Sequence, residues 1–265
     1  MDNRPIGVFD SGLGGLTVVK ALKELLPNES IVYFGDTARL PYGVKSQSLV
    51  KQFSKQITKF LLEKNAKAII IACNTATAMA LNSLKNEFKN IPIIGVIEPG
   101  SEKAIAETVT KKIGVIGTVA TISSGAYEKS IQQKNTKVEI ISKACPLFVP
   151  FVEEGLINGS AINEIANEYL SFFNNNVDTL ILGCTHYPLL KNIIFDNTES
   201  INLIDSASSV AEAAYKVLLD HKLLSDKKTP GVLSCYVSDL PMRFQELGNI
   251  FFGTDITNVK LINEF

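Results

Sequence analysis

The chain has 265 residues, of which 46% are apolar and 20% are charged, and its formal net charge is −1. This composition is typical of a globular protein, and no apolar run reaches the roughly 18 residues that a membrane span needs, so we expect no membrane partner. A nearly neutral chain without clustered Lys and Arg is not expected to bind nucleic acid.

Short β-branched runs alternate with longer amphipathic stretches along the chain, which predicts strand–helix–strand units and a parallel sheet. The predicted strands are residues 5–10, 30–35, 67–72, 92–97, 112–117, 137–142, 178–183, 201–204 and 232–237. The predicted helices are residues 14–26, 46–64, 75–89, 100–110, 119–133, 159–175 and 207–221. Ligands of open parallel sheets bind at the carboxyl ends of the strands. The polar or thiol residues predicted at those ends are Asp10, Cys73, Glu98, Thr118, Cys184 and Asp205.

One cysteine-bearing segment occurs twice in the chain. Residues 68–75 and 179–186 each consist of an apolar run, a cysteine and then polar side chains, and residues 7–11 are matched by 114–118. Internal similarity on this scale predicts two like-folded halves related by a pseudo-twofold axis. The thiols of the two repeats are then expected to face one cleft from opposite sides.

The repeat leaves the C-terminal residues unmatched, so we expect the chain to cross between the halves twice. The first domain is then predicted to comprise residues 1–97 plus 210–265, and the second residues 98–209. Each is expected to be a three-layer α/β domain with a mainly parallel sheet, and the active site is expected in the interdomain cleft.

The cysteines carry little sign of metal binding or cross-linking. All four are widely spaced, form no CxxC pair and share the chain with only two histidines, which predicts neither a metal site nor a disulfide framework. Cys145 and Cys235 lack polar companions and are assigned to the core. The N-terminal residues show no secretion signal, so we expect a cytoplasmic protein.

Cys73 follows a predicted buried strand and precedes Asn74 and Thr75, residues suited to opening a helix. A helix N-terminus favours the thiolate, and we expect it to lower the pKa of Cys73 by about one unit. A lone cysteine in this position is more often a small core residue. Its repetition at Cys184 favours a chemical role.

Cys184 is followed two residues later by His186, which could relay a proton or hydrogen-bond the thiol. A structural histidine is the simpler interpretation of His186 alone. A cysteine–histidine pair is also typical of nucleophilic hydrolases, but hydrolysis needs one thiol and leaves Cys73 without a role.

The segment 10–15 is a glycine-rich turn between the first strand and the first helix, and Asp36 follows at a distance suited to a dinucleotide site. Thr17 replaces the last glycine of that motif, so a nucleotide site is not expected. The backbone N–H groups and Ser11 are better suited to a small carboxylate, with Asp10 accepting from an ammonium or a thiol. Helix capping is the alternative role of Asp10.

Three further groups are candidates for the cleft. Thr118 and Thr121 place hydroxyls where they could reach a bound anion, although capping would explain one of them. The segment 36–43 is a polar loop expected to overhang the cleft. Glu153 follows an apolar run that should pack inward, although a solvated glutamate is the simpler interpretation.

Taken together, these motifs resemble the signatures of bacterial glutamate racemases, within the aspartate/glutamate racemase superfamily. The segments that carry the resemblance are 9–17, 35–43, 72–77, 117–127, 145–155 and 183–189, so it covers nearly the whole chain in order. Some members of that family carry an N-terminal extension linked to activation by a cell-wall precursor. The first strand is predicted here from residue 5, so we do not expect that activation.

The resemblance implies a cofactor-independent enzyme that interconverts L- and D-glutamate for peptidoglycan synthesis and that forms a homodimer. It implies that Cys73 and Cys184 are the proton donors and acceptors. Their implied assistants are Asp10, Glu153 and His186. The implied substrate contacts are Asp10, Ser11, Pro41, Tyr42, Gly43, Asn74, Thr75, Thr118, Thr121, Thr185 and His186.

Two other functions stay open at this point. One is aspartate racemase or another amino-acid isomerase of the superfamily, because only the resemblance favours glutamate as the substrate. A two-lobed amino-acid-binding protein would have the same cleft but would not exchange the α-proton of its ligand, and the pair of thiols argues against it.

Overall fold

Ten strands form two parallel sheets in the part of the chain that the structure, a computed structural model, describes, namely residues 1–198, 201–257 and 259–262. The strands are β1 (Ile6–Asp10), β2 (Ile31–Gly35), β3 (Ala68–Ile71), β4 (Ile93–Gly95), β5 (Lys112–Gly117), β6 (Glu139–Ala144), β7 (Thr179–Gly183), β8 (Asn202–Asp205), β9 (Leu233–Val237) and β10 (Val259–Leu261). All eight strand pairings within the described residues are parallel.

Helices connect and cover these strands. They are α1 (Leu16–Leu25), α2 (Gln47–Glu63), α3 (Asn74–Glu87), α4 (Ile97–Glu107), α5 (Val119–Ser123), α6 (Ala126–Lys134), α7 (Phe148–Glu153), α8 (Ser160–Leu170), α9 (Lys191–Asp196), α10 (Ser206–Asp220) and α11 (Pro241–Phe252). Single 3₁₀ turns occur at Tyr42–Val44, Ser171–Phe173 and Tyr187–Leu190. No helix within the described residues is both long and apolar enough to cross a membrane.

The two sheets share one topology. The first has the order β10-β9-β2-β1-β3-β4 and the second the order β6-β5-β7-β8, which repeats the β2-β1-β3-β4 portion of the first. The predicted fold class, two α/β domains with parallel sheets, is therefore confirmed. The exact domain limits stay a prediction. The first sheet takes its strands from both ends of the chain, and the second takes its strands from the middle.

The central strands are buried along their whole length because helices cover both faces of each sheet. β1, β3 and β7 have no exposed or half-buried position. Such strands appear in the sequence as continuous apolar runs, and this is why they were predictable. The register aligns Asp10 with Gly35 and Gly117 with Gly183, so the strands of each sheet end at a common edge.

The structure differs from the predicted elements where the helices are short or broken. The predicted helix 119–133 is divided at Gly125, which has a positive φ of 62° that favours glycine. The predicted helix 159–175 ends at Leu170 and continues as a 3₁₀ turn. Four elements were not predicted: α7, α9, α11 and β10. All are short or lie outside the internal repeat, so neither periodicity nor comparison between the halves could identify them.

Two of the predicted strand-end residues have other roles. The helix predicted to begin at residue 100 begins at Ile97, which moves Glu98 into its first turn, exposed to solvent and hydrogen-bonded to Lys134. Asp205 caps α10 by accepting from the backbone N–H groups of Ala207 and Ser208. Neither residue reaches the cavity described next.

Candidate active site

A small enclosed cavity lies at the carboxyl ends of both sheets. Its lining is Ser11, Leu40, Pro41, Tyr42, Gly43, Cys73, Asn74, Thr75, Thr118, Val149, Glu153, Cys184, Thr185 and His186. Every predicted site residue except Asp10 and Thr121 belongs to this lining. The free volume is about 30 Å³, room for roughly two waters, so an amino acid can enter only if the cavity opens.

Cys73 connects β3 to α3 and caps that helix with its sulfur. Its Sγ accepts from the backbone N–H of Ala76 at 3.4 Å and lies 3.7 Å from Ser11 Oγ. Burial, together with the nearby carboxylate of Asp10, raises the pKa of the Cys73 thiol to about 12. The predicted lowering of this pKa is wrong, because loss of hydration outweighs the single N–H donor at the helix terminus. Cys73 is therefore a thiol in the resting protein.

Cys184 follows β7 directly, and its sulfur is paired with a histidine. Cys184 Sγ lies 3.8 Å from His186 Nδ1, and His186 Nε2 lies 3.2 Å from Glu153 Oε1. Burial would lower the pKa of His186, but its hydrogen bonds to Cys184 and Glu153 outweigh burial and raise that pKa to about 10. A cationic imidazole therefore stands beside the sulfur, and Glu153 fixes the ring from the other side.

Asp10 lies behind the cavity rather than in it. Its side chain is fully buried, its Oδ2 accepts from Gly12 N–H at 3.0 Å, and its Oδ1 accepts from Thr185 Oγ1 at 3.4 Å. The first turn of α1 is preceded by Gly15 and has no side-chain cap, so Asp10 is not a helix cap. Burial raises the pKa of Asp10. The carboxyl joins the glycine-rich loop of one half to a cavity residue of the other.

Three threonine hydroxyls form a triangle where the two halves meet. Thr75 Oγ1 lies 3.0 Å from Thr118 Oγ1 and 3.1 Å from Thr121 Oγ1, and the last two hydroxyls are 3.0 Å apart. Thr75 and Thr118 line the cavity, while Thr121 is buried behind them. The hydroxyl of Thr118 also caps α5, so capping and anion contact are compatible roles for that residue.

The loop that covers the cavity is held by a buried carboxylate. Asp36 accepts from the hydroxyl of Tyr42, from Arg39 Nε at 2.8 Å and from Ser238 Oγ at 2.9 Å. Burial and the charge of Asp36 raise the pKa of Tyr42. The expectation that Pro41, Tyr42 and Gly43 overhang the cleft agrees with this placement.

Two lining residues were missed by the sequence argument. Leu40 and Val149 close the cavity with apolar surface. An aliphatic residue in a loop or in a helix as short as α7 carries no chemical signal, and no periodicity marks the side that it buries.

Fold and site together define a two-domain α/β protein with two cysteines, one after a strand of each sheet, in a single enclosed cavity. The model of the Asp/Glu/Hydantoin racemase family matches residues 6–214, and the chain belongs to that family. A glutamate racemase of Chlorobaculum tepidum is 47% identical over 260 residues, which are 97% of this chain and 96% of the relative.

Solved structures give the same assignment. The glutamate racemase of Francisella tularensis, determined in complex with D-glutamate, is 44% identical, superimposes with a TM-score of 0.93 and shares 99% of this chain and 98% of its own. A glutamate racemase isoform of Bacillus anthracis is 38% identical, with a TM-score of 0.94 and the same coverage.

Proposed function

We propose that this protein is a glutamate racemase that interconverts L- and D-glutamate by proton transfer at Cα, without a cofactor. The observation that carries the proposal is that Cys73 and Cys184, which follow equivalent strands of two different sheets, line the same enclosed cavity. The full-length similarity to glutamate racemases supports glutamate as the substrate. As the family resemblance implies, the D-glutamate that the enzyme forms is used for peptidoglycan synthesis.

The reaction needs one base and one acid on opposite faces of the substrate. The thiolate of one cysteine takes the α-proton, and the electron pair of the broken C–H bond moves into the α-carboxylate. The thiol of the other cysteine then gives its proton to the opposite face, so one thiol and one thiolate are present before and after each turnover. General acid–base assistance of this kind contributes about 10²–10⁴ in rate.

The surroundings of the two sulfurs suit different roles in the resting protein. Cys73 has its pKa raised to about 12 and holds its proton. Cys184 lies beside the cationic His186, which stabilises negative charge on that sulfur and can return a proton to it. We therefore assign Cys184 as the base and Cys73 as the acid of the first turnover, with roles exchanged in the reverse reaction.

The polar lining supplies donors to the two carboxylates of glutamate. Four hydroxyl residues, Ser11, Thr75, Thr118 and Thr185, line the cavity, and no Lys or Arg is among its described lining residues. Donors fixed in a water-poor site stabilise the charge that builds up on the α-carboxylate. Since the closed cavity is smaller than the substrate, binding requires opening between the halves followed by closure.

The test is α-deuterium incorporation into L-glutamate in D₂O, followed by proton NMR. The wild-type protein is expected to exchange the α-proton and to form D-glutamate, whereas Cys73→Ala and Cys184→Ala are each expected to lose at least about 10³ in racemisation rate. Cys235→Ala, at a buried cysteine outside the cavity, is the control. Normal racemisation by either cavity variant would refute the two-thiol mechanism.

A substrate panel separates the alternatives. Faster exchange of aspartate than of glutamate would assign the chain to a different racemase of the same family. Saturable binding without exchange would identify a binding protein. We also propose that the protein is cytoplasmic, and its four free cysteines agree with a reducing compartment. The resemblance implies a homodimer, which light scattering of the purified protein tests.

A further inference from the structure

The side-chain amide of Asn74 is hydrogen-bonded at its oxygen but not at its nitrogen among the described residues. Asn74 follows Cys73 at the start of α3, is buried and lines the cavity. Its Oδ1 accepts from the hydroxyl of Tyr127 at 2.6 Å. Its Nδ2 is buried and has no hydrogen-bond partner among the described residues. A buried donor without a partner is costly, so this Nδ2 is suited to a ligand acceptor.

Tyr127, on α6, connects the neighbourhoods of the two cysteines. Its ring packs beneath Gly183, the residue before Cys184, where an added Cβ would lie 3.0 Å from Tyr127 Cε2. Its hydroxyl binds Asn74, the residue after Cys73. Tyr127 itself is 1% exposed and does not line the cavity, so it acts only through its neighbours.

The hydroxyl of Tyr127 occupies the Oδ1 end of the amide. Burial raises the pKa of Tyr127, so its phenol keeps its proton and can donate it to Asn74 Oδ1. Ser206 Oγ lies 3.5 Å from the same oxygen. With Oδ1 bonded to these hydroxyls, Nδ2 is the amide atom left to donate to a ligand. A reversed amide would leave an oxygen in that place, and an oxygen there would repel a carboxylate.

We propose that Tyr127 is a positioning residue that orients the Asn74 amide so that Nδ2 donates to a carboxylate of the bound amino acid. The inference rests on the proposed function because it takes glutamate as the ligand. Tyr127 thereby couples substrate affinity to the contact between the two halves, since Asn74 belongs to the first sheet's helices and Tyr127 to the second's.

The test is calorimetric titration of D-glutamate into the wild-type protein, Tyr127→Phe, Asn74→Ala and the double variant. We expect Tyr127→Phe to raise Kd about tenfold. The double variant should bind no more weakly than Asn74→Ala alone, because the tyrosine acts only through the amide. Additive losses, or an unchanged Kd for Tyr127→Phe, would overturn the proposal.

Two further variants keep the test independent of stability. Tyr169→Phe removes the hydroxyl of another largely buried tyrosine in the second half and is expected to leave Kd unchanged. Asn74→Asp keeps the size of the side chain and an oxygen for Tyr127 but replaces Nδ2 with an anionic oxygen, so it should bind more weakly than Asn74→Ala. Equal binding by these two variants would contradict the assigned orientation.

Steady-state kinetics give a second readout. Tyr127→Phe should raise KM for both enantiomers more than it lowers kcat, whereas general destabilisation would not separate the two constants. The inference is judged on Kd and the proposed function on α-deuterium exchange. A protein that binds D-glutamate but does not exchange its α-proton would refute the function alone, and one that binds no glutamate would refute both.

Discussion

The backbone of Gly14 lies directly against the imidazole of His186. A Cβ on Gly14 would lie 2.6 Å from His186 Nδ1 and nearer still to Thr185 Oγ1, closer than any stable contact allows. The glycine-rich turn that resembles a nucleotide loop is therefore explained by close approach between the two halves of the cavity. The loop of the first sheet and the histidine of the second fit together only because this position has no side chain.

We expect Gly14→Ala to displace the imidazole and lower kcat/KM roughly 100-fold, because small misplacements of a reacting group carry penalties of that order. Gly12→Ala is the matched control. Among the described residues, an added Cβ there would contact only Leu40 Cδ2, at 3.4 Å, so activity should change little. Equal activities of the two variants would contradict the explanation.

The charge of His186 should persist to high pH and depend on Glu153. Since the pKa of His186 is raised from 6.5 to about 10, the stability that the imidazolium contributes is fully present below about pH 6.5 and is lost as the pH rises through about 10. Glu153→Gln should lower this pKa and move the loss to lower pH. An NMR titration of the ring resonances, with exposed His221 as the second signal, checks the shift; identical His186 titrations would exclude Glu153 as a cause.

Cys73 should react slowly with alkylating agents. With a pKa of about 12, only about one part in 10⁴ is thiolate near pH 8. Asp10→Asn removes a negative charge that raises this pKa, so alkylation of Cys73, mapped by mass spectrometry, should become faster. Racemisation by the same variant should become slower, because Asp10 also holds Gly12 and Thr185. If alkylation and racemisation change in the same direction, the assigned role of Asp10 is wrong.

Substitutions in the threonine triangle should lower both the stability of the protein and its affinity for the substrate. Thr121→Val removes one hydroxyl from behind the cavity and is expected to cost about 1 kcal/mol of unfolding free energy and to raise KM a few-fold. Thr118→Val also removes the cap of α5 and should cost about 1 kcal/mol more. Urea unfolding measures the unfolding free energy of both variants. A smaller loss for Thr118→Val than for Thr121→Val would argue against the capping contribution.

The sequence predicted much of the candidate site because chemistry recurs at equivalent places in the chain. A buried parallel strand is a continuous apolar run, and the residue that follows it is placed at the ligand-binding edge by topology alone. Cys73 and Cys184 could therefore be assigned to one cleft. The same reasoning failed for Glu98, because the helix begins at Ile97, three residues earlier than predicted, and this leaves the side chain of Glu98 exposed to solvent.

By itself, the sequence determined the parallel α/β class, the repeat and the polar residues at the strand ends, since these depend on local periodicity and residue type. Only the tertiary structure decided the pKa of Cys73, the placement of Asp10 and Thr121 behind the cavity, and the contact between Tyr127 and Asn74. Burial and distances between remote segments are set by packing of the whole chain, and no local pattern encodes them.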